Sequence, residues 1–223
     1  MCGVENKVLM LLLKNRRMLV DEILSQVGCS EDVLKYVLER HELFLRRHGL
    51  EIIVERPLEL ALLLIERGVE VFRVSELLDW RDFEKLSLSI LREHGYDVIG
   101  NVKLTSPIRV EIDVVGVNPI NGLALIIDCK HWSAMTRSRL LKAVKDHVKR
   151  LSKLTKYYGY FREKYIVFEK AKYVLPLVIT LLTPSIRAYE NVIVIGIREL
   201  NEFLLNTHLI LDHYGVKPIK LGA

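Results

Sequence analysis

Two short, almost wholly apolar runs near the C-terminal end restrict the fold of this chain more than any other feature. They read LPLVITLLT at residues 175–183 and NVIVIGI at residues 191–197. Neither run alternates between apolar and polar residues, as a strand with one wet face would. Such runs are typical of strands covered on both faces, which occur mainly in the parallel part of α/β sheets. The C-terminal part of the chain is therefore predicted to be an α/β domain.

Upstream of these runs, the pattern from residue 79 is one helix, three strands and a long helix. Asp79 is a plausible cap for the first helix, and Gly95 is a suitable stop. Asn121-Gly122, between the second and third strands, is a strong hairpin-turn signal. The predicted strands are YDVIGNVKL, RVEIDVVGV and GLALIIDCKHW; the long helix covers about residues 136–157, and RELNEFLLN forms a terminal helix. Together with the apolar runs, this order predicts a mixed central sheet.

The first 55 residues predict a different and mainly helical unit. Three amphipathic helices, the third capped by Ser30, are followed by two short strands around His48-Gly49. A fourth helix opens at Pro57 and ends at Gly68. Three helices and a hairpin resemble a winged helix-turn-helix. We therefore predict a winged-helix-like domain at residues 1–70 and the α/β domain at residues 71–223.

Charge is unevenly distributed along the chain. The net charge is +5, but residues 1–78 carry 11 Lys/Arg against 13 Asp/Glu, and the remainder carries 22 against 15. A basic C-terminal part favours a polyanionic partner, and DNA is the predicted one. The three cysteines form no CxxC or disulfide pattern, which fits a cytoplasmic protein. The apolar run at residues 8–13 is too short to span a bilayer, so no membrane association is expected.

Two carboxylates and a lysine interrupt the apolar strands in the middle of the chain. Asp113 lies in EIDVV, and Asp128 and Lys130 lie in IIDCK. Neighbouring strands are about 4.8 Å apart, so the two carboxylates can converge on one cation. Mg²⁺ (or Mn²⁺) prefers such oxygen ligands, and a lysine beside them can orient a water or neutralise developing phosphate charge. The opposite interpretation, in which these charges lie at strand ends and face solvent, stays open.

This constellation resembles the core motif of the PD-(D/E)xK nuclease superfamily. Asp113 takes the position of its first acid, and Asp128 and Lys130 form its D/E-x-K. Glu84, in FEKLSLSILREHGYDV, matches the glutamate of the family's first helix. This stretch resembles the opening segment of the Mrr-like restriction branch, and the archaeal Holliday-junction resolvases share the same core. Ile112 replaces the proline of the family pair, and Asp128 stands where the Mrr branch usually has glutamine.

The resemblance implies a restriction-endonuclease-like core and a metal-dependent DNA endonuclease. Its catalytic residues would be Glu84, Asp113, Asp128 and Lys130, and its metal ligands Asp113, Asp128 and the backbone carbonyl of Cys129. A structure-selective junction resolvase, which a homodimer would favour, and a non-catalytic DNA-binding regulator are the alternatives. The chain contains no G-x-x-x-x-G-K-[ST] motif, so no nucleotide cofactor is expected.

Basic residues on the long helix are the predicted DNA contacts, because this helix flanks the substrate groove in the resembled fold. Those singled out are Arg137, Arg139, Lys142, Lys145 and Lys149, with Arg46 and Arg47 at the tip of the N-terminal hairpin. Whether the N-terminal unit contacts DNA or protein is equally open. Glu111, two residues before Asp113, is expected at the rim of the site rather than as a ligand. The sequence also predicts that Asp128→Asn abolishes cleavage without lowering the melting temperature.

Overall fold

The computed structural model describes residues 2–222 and divides the chain into two compact units. The first comprises residues 1–82 and the second residues 83–223. This division falls within one helix, downstream of the boundary at residue 70 that the sequence suggests. The assignment of domains at 1–70 and 71–223 stays a prediction. No helix within residues 2–222 is long and apolar enough to cross a membrane.

The first unit has the helices and hairpin that the sequence predicts, together with one strand that it does not. Strand β1 pairs antiparallel with β3, which gives a three-stranded sheet of order β1-β3-β2. The Ser30 hydroxyl accepts a bond from the Val33 amide and caps the third helix. In chain order the elements are α1 (Cys2–Asn15), β1 (Arg17–Leu19), α2 (Val20–Val27), α3 (Glu31–Arg40), β2 (Leu45–His48), β3 (Glu51–Val54), α4 (Pro57–Glu66) and α5 (Val71–Ser75).

Helix α6 (Trp80–Glu93) leads into the second unit, which is built on a mixed sheet as predicted. The Asp79 carboxylate accepts from the Asp82 amide at 2.9 Å and caps α6. The further elements are β4 (Asp97–Leu104), β5 (Val110–Val117), β6 (Leu123–Lys130), α7 (Arg137–Lys156), α8 (Tyr158–Lys164), a 3-10 helix (Ile166–Lys170), β7 (Tyr173–Thr180), β8 (Ala188–Tyr189), β9 (Val192–Gly196), a 3-10 helix (Ile197–Glu199), α9 (Leu200–Leu205), α10 (Thr207–Tyr214) and β10 (Ile219–Lys220).

The strand order of this sheet is β4-β5-β6-β7-β9-β8, with β10 paired to β7. Strands β4, β5 and β6 run antiparallel to one another, whereas β6, β7 and β9 are parallel. The two parallel strands β7 and β9 are the apolar runs from which the α/β prediction began. All five residues of β9 are buried, as are all but the first residue of β7, so both faces of these strands are covered.

Helices α6 and α7 pack against the sheet through different contacts. Leu151 and Leu154 of α7 join a core cluster with residues of β4, β5, β6 and α8. On α6, Leu88 and Leu91 lie so close to Gly100 and Gly116 that a Cβ at those glycines would meet them at 2.8 and 3.3 Å. The missing side chains of both glycines therefore allow α6 to approach β4 and β5 closely. Glu84 is carried on this helix.

Two details of the antiparallel region matter for the site and for the sheet edge. The turn between β5 and β6 is the five-residue loop NPING, residues 118–122, which contains the predicted turn signal Asn121-Gly122. The Asn118 side chain accepts from the amides of Ile120 and Asn121, which closes the loop. At the outer strand β4, the Tyr165 hydroxyl bonds both to the amide (2.9 Å) and to the carbonyl (2.7 Å) of Lys103.

Candidate active site

Asp113 lies at an irregular point of the antiparallel sheet. The paired residues of β4 and β5 pass from Gly100–Val114 to Val102–Ile112, so Asn101 and Asp113 are skipped, and Asn101 has a φ of 57°. The core cluster that α7 joins contains Ile112 but also Val115, so the alternation of β5 shifts by one position around Asp113. Irregularities of this kind re-aim side chains and are common beside active sites.

The Asp113 carboxylate takes over the role of a main-chain acceptor at this point. Backbone pairing of β5 with β6 extends from Val117–Ala124 to Val114–Ile127. Asp113 is the next residue of β5 beyond the last of these pairs. There the Asp113 Oδ2 accepts the Cys129 amide at 2.8 Å. This bond ties Asp113 to the residue between Asp128 and Lys130. The predicted site residues of the two strands thus meet through a side chain rather than through regular strand alternation.

Asp128 is buried and bound by two cations. Its residue exposure is 3%, so the alternative in which this charge faces solvent is not what the structure shows. Lys130 Nζ lies 2.7 Å from its Oδ2, and the Arg150 guanidinium from α7 donates to its Oδ1. The Lys130 contact has no hydrogen-bonding alignment, so within the described residues Oδ2 has no hydrogen-bond donor. Lys130 Nζ also lies 3.4 Å from the Cys129 carbonyl, the third predicted metal ligand.

Burial and neighbouring carboxylates raise the pKa of two site residues, Asp113 and Glu84. Burial raises the pKa of Asp113, and the neighbouring Asp128 charge raises it further. The bond from the Cys129 amide and the charges of Lys130 and Arg150 act in the opposite direction and lower this pKa. Burial and the charge of Asp113 raise the pKa of Glu84 from 4.5 to about 7. Lys130, Glu111 and Asp128 also act on Glu84, which places it in the same electrostatic environment. Such shifts of carboxyl groups in one cluster are typical of functional sites.

We expect Glu84→Gln to stabilise the metal-free protein at neutral pH. The folded pKa of about 7 lies above the ordinary value of 4.5, so stability is lost as pH rises through this interval. After allowance for solvent screening the gain above pH 7 should be about 1 kcal/mol, or about 2–4 °C in melting temperature. It should vanish below pH 4.5. Thermal melts in EDTA from pH 4 to 8 measure this gain in stability. Glu93→Gln, at an exposed position of the same helix, is the control. A gain that does not change with pH would contradict the prediction.

Beside the site, His147 is buried and Cys129 is half-buried, and both have structural contacts. The His147 ring is fully buried, and its Nε2 donates to the Ile126 carbonyl at 2.8 Å. Burial lowers the pKa of His147 to about 4, so the ring is neutral at pH 7 and fastens α7 to β6. The Cys129 sulfur lies 3.8 Å from the Ser87 hydroxyl on α6, and burial raises the pKa of its thiol. This agrees with the interpretation of Cys129 as a core side chain.

The remaining predicted residues lie on the surface. Glu111 is exposed and pairs with Lys103 at 2.8 Å, which suits a residue at the rim. Arg139 stacks on the Trp132 ring, with 4.1 Å from Cζ to the ring centroid. The five basic residues predicted on α7 are all exposed: Arg137, Arg139, Lys142, Lys145 and Lys149. In the first unit, Arg46 pairs with Glu55 and Arg47 donates to the Gly49 carbonyl, and both are exposed.

Arg150 is a member of the cluster that the sequence does not single out. It is one of the basic residues of α7, and it forms an ion pair with Asp128. A signal was present in the sequence, because Arg150 lies three residues after His147 and four before Leu154, both on the buried side of α7. The side of α7 that carries Arg150 was therefore readable, but its carboxylate partner on β6 was not, since a cation beside an apolar stripe can equally extend into solvent.

Comparison with known families indicates the fold class of the second unit. Residues 75–168 match the family model described as restriction endonuclease, of the Mrr catalytic type. This stretch contains Glu84, Asp113, Asp128 and Lys130, together with Arg150. The match and the mixed sheet confirm the predicted restriction-endonuclease-like fold of the second unit.

Individual relatives are more distant. An uncharacterized protein of Archaeoglobus fulgidus is 28% identical over 139 residues, which cover 61% of this chain and 97% of that protein. Among solved structures, VC1899 from Vibrio cholerae is 18% identical with a TM-score of 0.38, and the restriction endonuclease FokI is 12% identical with a TM-score of 0.36. The matched regions cover 96% and 92% of this chain, but only 51% of the VC1899 chain and 40% of the FokI chain. This chain therefore spans about half of VC1899 or less than half of FokI.

Proposed function

We propose that this protein is a metal-dependent DNA endonuclease that hydrolyses phosphodiester bonds. The observation that carries the proposal is the cluster at the end of the β5–β6 pairing. There the Asp113 carboxylate is bonded to the Cys129 amide, between Asp128 and Lys130. The residues belong to a restriction-endonuclease-like domain, and their charges act on Glu84.

The donor set fits Mg²⁺ or Mn²⁺. Asp113, Asp128 and the Cys129 carbonyl offer the oxygen ligands that hard cations prefer. Within the described residues the Asp128 Oδ2 accepts no aligned hydrogen bond, although Lys130 Nζ lies 2.7 Å away. Burial and the Asp128 charge raise the pKa of Asp113, which supports a site that gains from added positive charge. Within residues 2–222 no group of three or more His, Cys, Asp or Glu side chains is arranged as a metal site, and the proposed ligand set is two carboxylates with one carbonyl. Such a cation, when bound, supplies Lewis acidity at the phosphate and an activated water.

Two side chains of the site have chemical roles beyond metal binding. Lys130 Nζ lies 2.7 Å from the Asp128 carboxylate, and in this proposal its charge offsets the negative charge that develops on the attacked phosphate. Glu84 has a pKa of about 7, which suits a group that exchanges protons near neutral pH. We assign charge stabilisation or water positioning to Lys130, and assistance through a water or a second cation to Glu84.

DNA is held, in this proposal, by the exposed face of α7. The five exposed residues Arg137, Arg139, Lys142, Lys145 and Lys149 provide phosphate contacts. Helix α7 also carries Arg150 into the cluster, so the surface and the site belong to one rigid element. Arg46 and Arg47 of the first unit are proposed as additional contacts, and the winged-helix assignment of that unit remains part of the proposal.

A cleavage assay tests the proposal directly. The protein is incubated with plasmid, four-way-junction and single-stranded DNA, with MgCl₂ or with EDTA. Nicked or linear plasmid in MgCl₂, but not in EDTA, is the expected result. Exclusive cleavage of the junction would instead identify a structure-selective resolvase. DNA binding without cleavage of any substrate in MgCl₂ or MnCl₂ would leave a DNA-binding regulator and refute the endonuclease.

A further inference from the structure

Asp128 is held from two sides by cations of different origin. Lys130 lies two residues along the same strand, and its Nζ is 2.7 Å from Oδ2. Arg150 approaches Oδ1 from α7, on the other side of the carboxylate. The Asp128 side chain is 4% exposed, whereas that of Arg150 is 29% exposed. Arg150 therefore extends from the buried carboxylate toward the solvent-accessible side of the site.

This arrangement conflicts with a simple ligand role for Asp128. A divalent cation that takes this carboxylate must approach Arg150, and like charges so close together repel. Lys130 is held near the carboxylate by its own strand. Arg150 reaches the carboxylate from a separate element, α7, and within the described residues its Nε has no hydrogen-bond partner; its side chain is 29% exposed, against 22% for Lys130. Of the two cations, Arg150 is the one that can leave.

The formal charges of the cluster indicate where Arg150 goes. With all groups ionised, three carboxylates (Glu84, Asp113 and Asp128) and two cations (Lys130 and Arg150) sum to −1. A divalent cation alone changes this to +1, which is unfavourable in a partly buried site. A phosphodiester restores neutrality, and guanidinium groups bind phosphate oxygens through paired N–H donors.

We propose that Arg150 is a phosphate-binding residue that holds Asp128 in the metal-free protein and moves to the DNA phosphate when a divalent cation occupies Asp128. The role rests on the proposed endonuclease function and deepens it, because it makes metal and DNA binding mutually dependent. Metal binding without DNA is opposed by Arg150, and metal binding with DNA is supported by it. This coupling limits loading of the site before DNA is present.

The attachment of α7 restricts this movement to the side chain. His147, one turn before Arg150, is fully buried and bonded to the carbonyl of Ile126, two residues before Asp128. Leu151 and Leu154 fix the following turn in the core. The backbone of Arg150 is thus fastened on both sides, while its long side chain can reach either the carboxylate or a phosphate beside it.

The test compares Arg150→Met with wild type in two binding measurements. Calorimetric titration with Mn²⁺ in the absence of DNA should show about tenfold tighter binding, because a nearby unit charge has been removed. Affinity for a short duplex in Ca²⁺, with gels to verify intact DNA, should fall about tenfold. The slope of log K against log salt should decrease by about one, the value of one phosphate contact. Lys153→Met, an exposed lysine of α7, should leave the Mn²⁺ affinity unchanged.

The outcomes separate this role from the proposed function. If wild type binds no Mn²⁺, both the metal-dependent function and the role of Arg150 are overturned. If wild type binds Mn²⁺ and Arg150→Met binds it no more tightly, only the role of Arg150 is overturned. Should Arg150→Met fail to fold, the guanidinium signal of Arg150 in wild type, assigned with Arg150→Lys, is followed by NMR. It should shift on addition of Mg²⁺, and an unchanged signal at saturating Mg²⁺ would overturn the exchange.

Discussion

Replacement of Asp113 with asparagine should abolish Mg²⁺-dependent DNA cleavage while leaving the protein at least as stable as wild type. Loss of a metal ligand is expected to remove several kcal/mol of transition-state stabilisation, or a factor of about 1000 or more in rate. Asparagine keeps an oxygen that can accept the Cys129 amide, so the link between β5 and β6 survives. The change also removes a carboxylate whose pKa is raised by burial and by Asp128, so stability should hold or increase.

Rates of plasmid nicking and thermal melts check both parts of this result. Glu111→Gln is the matched control, because Glu111 lies two residues away on β5, is exposed and forms an ion pair with Lys103 of the adjacent strand. It should cleave DNA at close to the wild-type rate. Full activity of Asp113→Asn would remove Asp113 from the mechanism, and a large loss of melting temperature would make it a structural residue.

Asp128→Asn should behave differently, contrary to the expectation from the sequence. The sequence suggested that this change would cost no stability, but Asp128 is the buried partner of both Lys130 and Arg150. Removal of one partner from a buried ion pair costs about 3 kcal/mol, which corresponds to a fall of about 6–12 °C in melting temperature for a chain of this size. Asp113→Asn is therefore the better variant for separating catalysis from folding.

Replacement of Arg139, Lys142 and Lys149 with alanine should produce the second large effect, on DNA affinity. Each phosphate contact contributes about −0.9 to the slope of log K against log salt. If all three side chains touch phosphate, the slope should flatten by about 2–3 and affinity at low salt should fall by orders of magnitude. Fluorescence anisotropy with a labelled duplex at several salt concentrations measures both quantities.

A double replacement in the first unit is the matched comparison. Arg46 and Arg47 are exposed on β2, and their change to alanine removes basic charge without touching the buried residues of that unit. We expect a smaller change of slope than for the α7 variant, because the charge of residues 1–78 is net negative and that of the remainder net positive. A larger effect of Arg46 and Arg47 would make the first unit the main DNA anchor.

The parts of the fold that the sequence predicted are those governed by local signals. The caps at Ser30 and Asp79 lie where expected, and α7 differs from its predicted range by one residue at each end. Hydrophobic periodicity and short apolar runs also predicted five of the seven strands of the mixed sheet, but not the two-residue strands β8 and β10. These signals depend on neighbours in the chain, so a single sequence contains them.

The parts that could not be predicted depend on contacts between distant residues. Strand β1 has three residues and exists because β3 pairs with it. The irregularity around Asp113 involves Asn101 of the adjacent strand, and nothing in EIDVV itself indicates it. The pairing of Arg150 with Asp128 joins residues 22 positions apart on a helix and a strand. The chemical types of the site were readable from the sequence, whereas its ion pairs required the packing of α7 on the sheet.

The bonds of Tyr165 at the edge strand restrict how copies of this chain can assemble. A strand from a second molecule could extend the sheet at β4 only by using its free backbone groups. At Lys103 those groups are occupied, because the Tyr165 hydroxyl bonds to both and the Lys164 amine also donates to the carbonyl at 2.8 Å. Asn101, with its left-handed backbone, further bends the strand away from regular pairing. Extension of the sheet by backbone pairing with a second molecule is thereby hindered at the Lys103 end of β4.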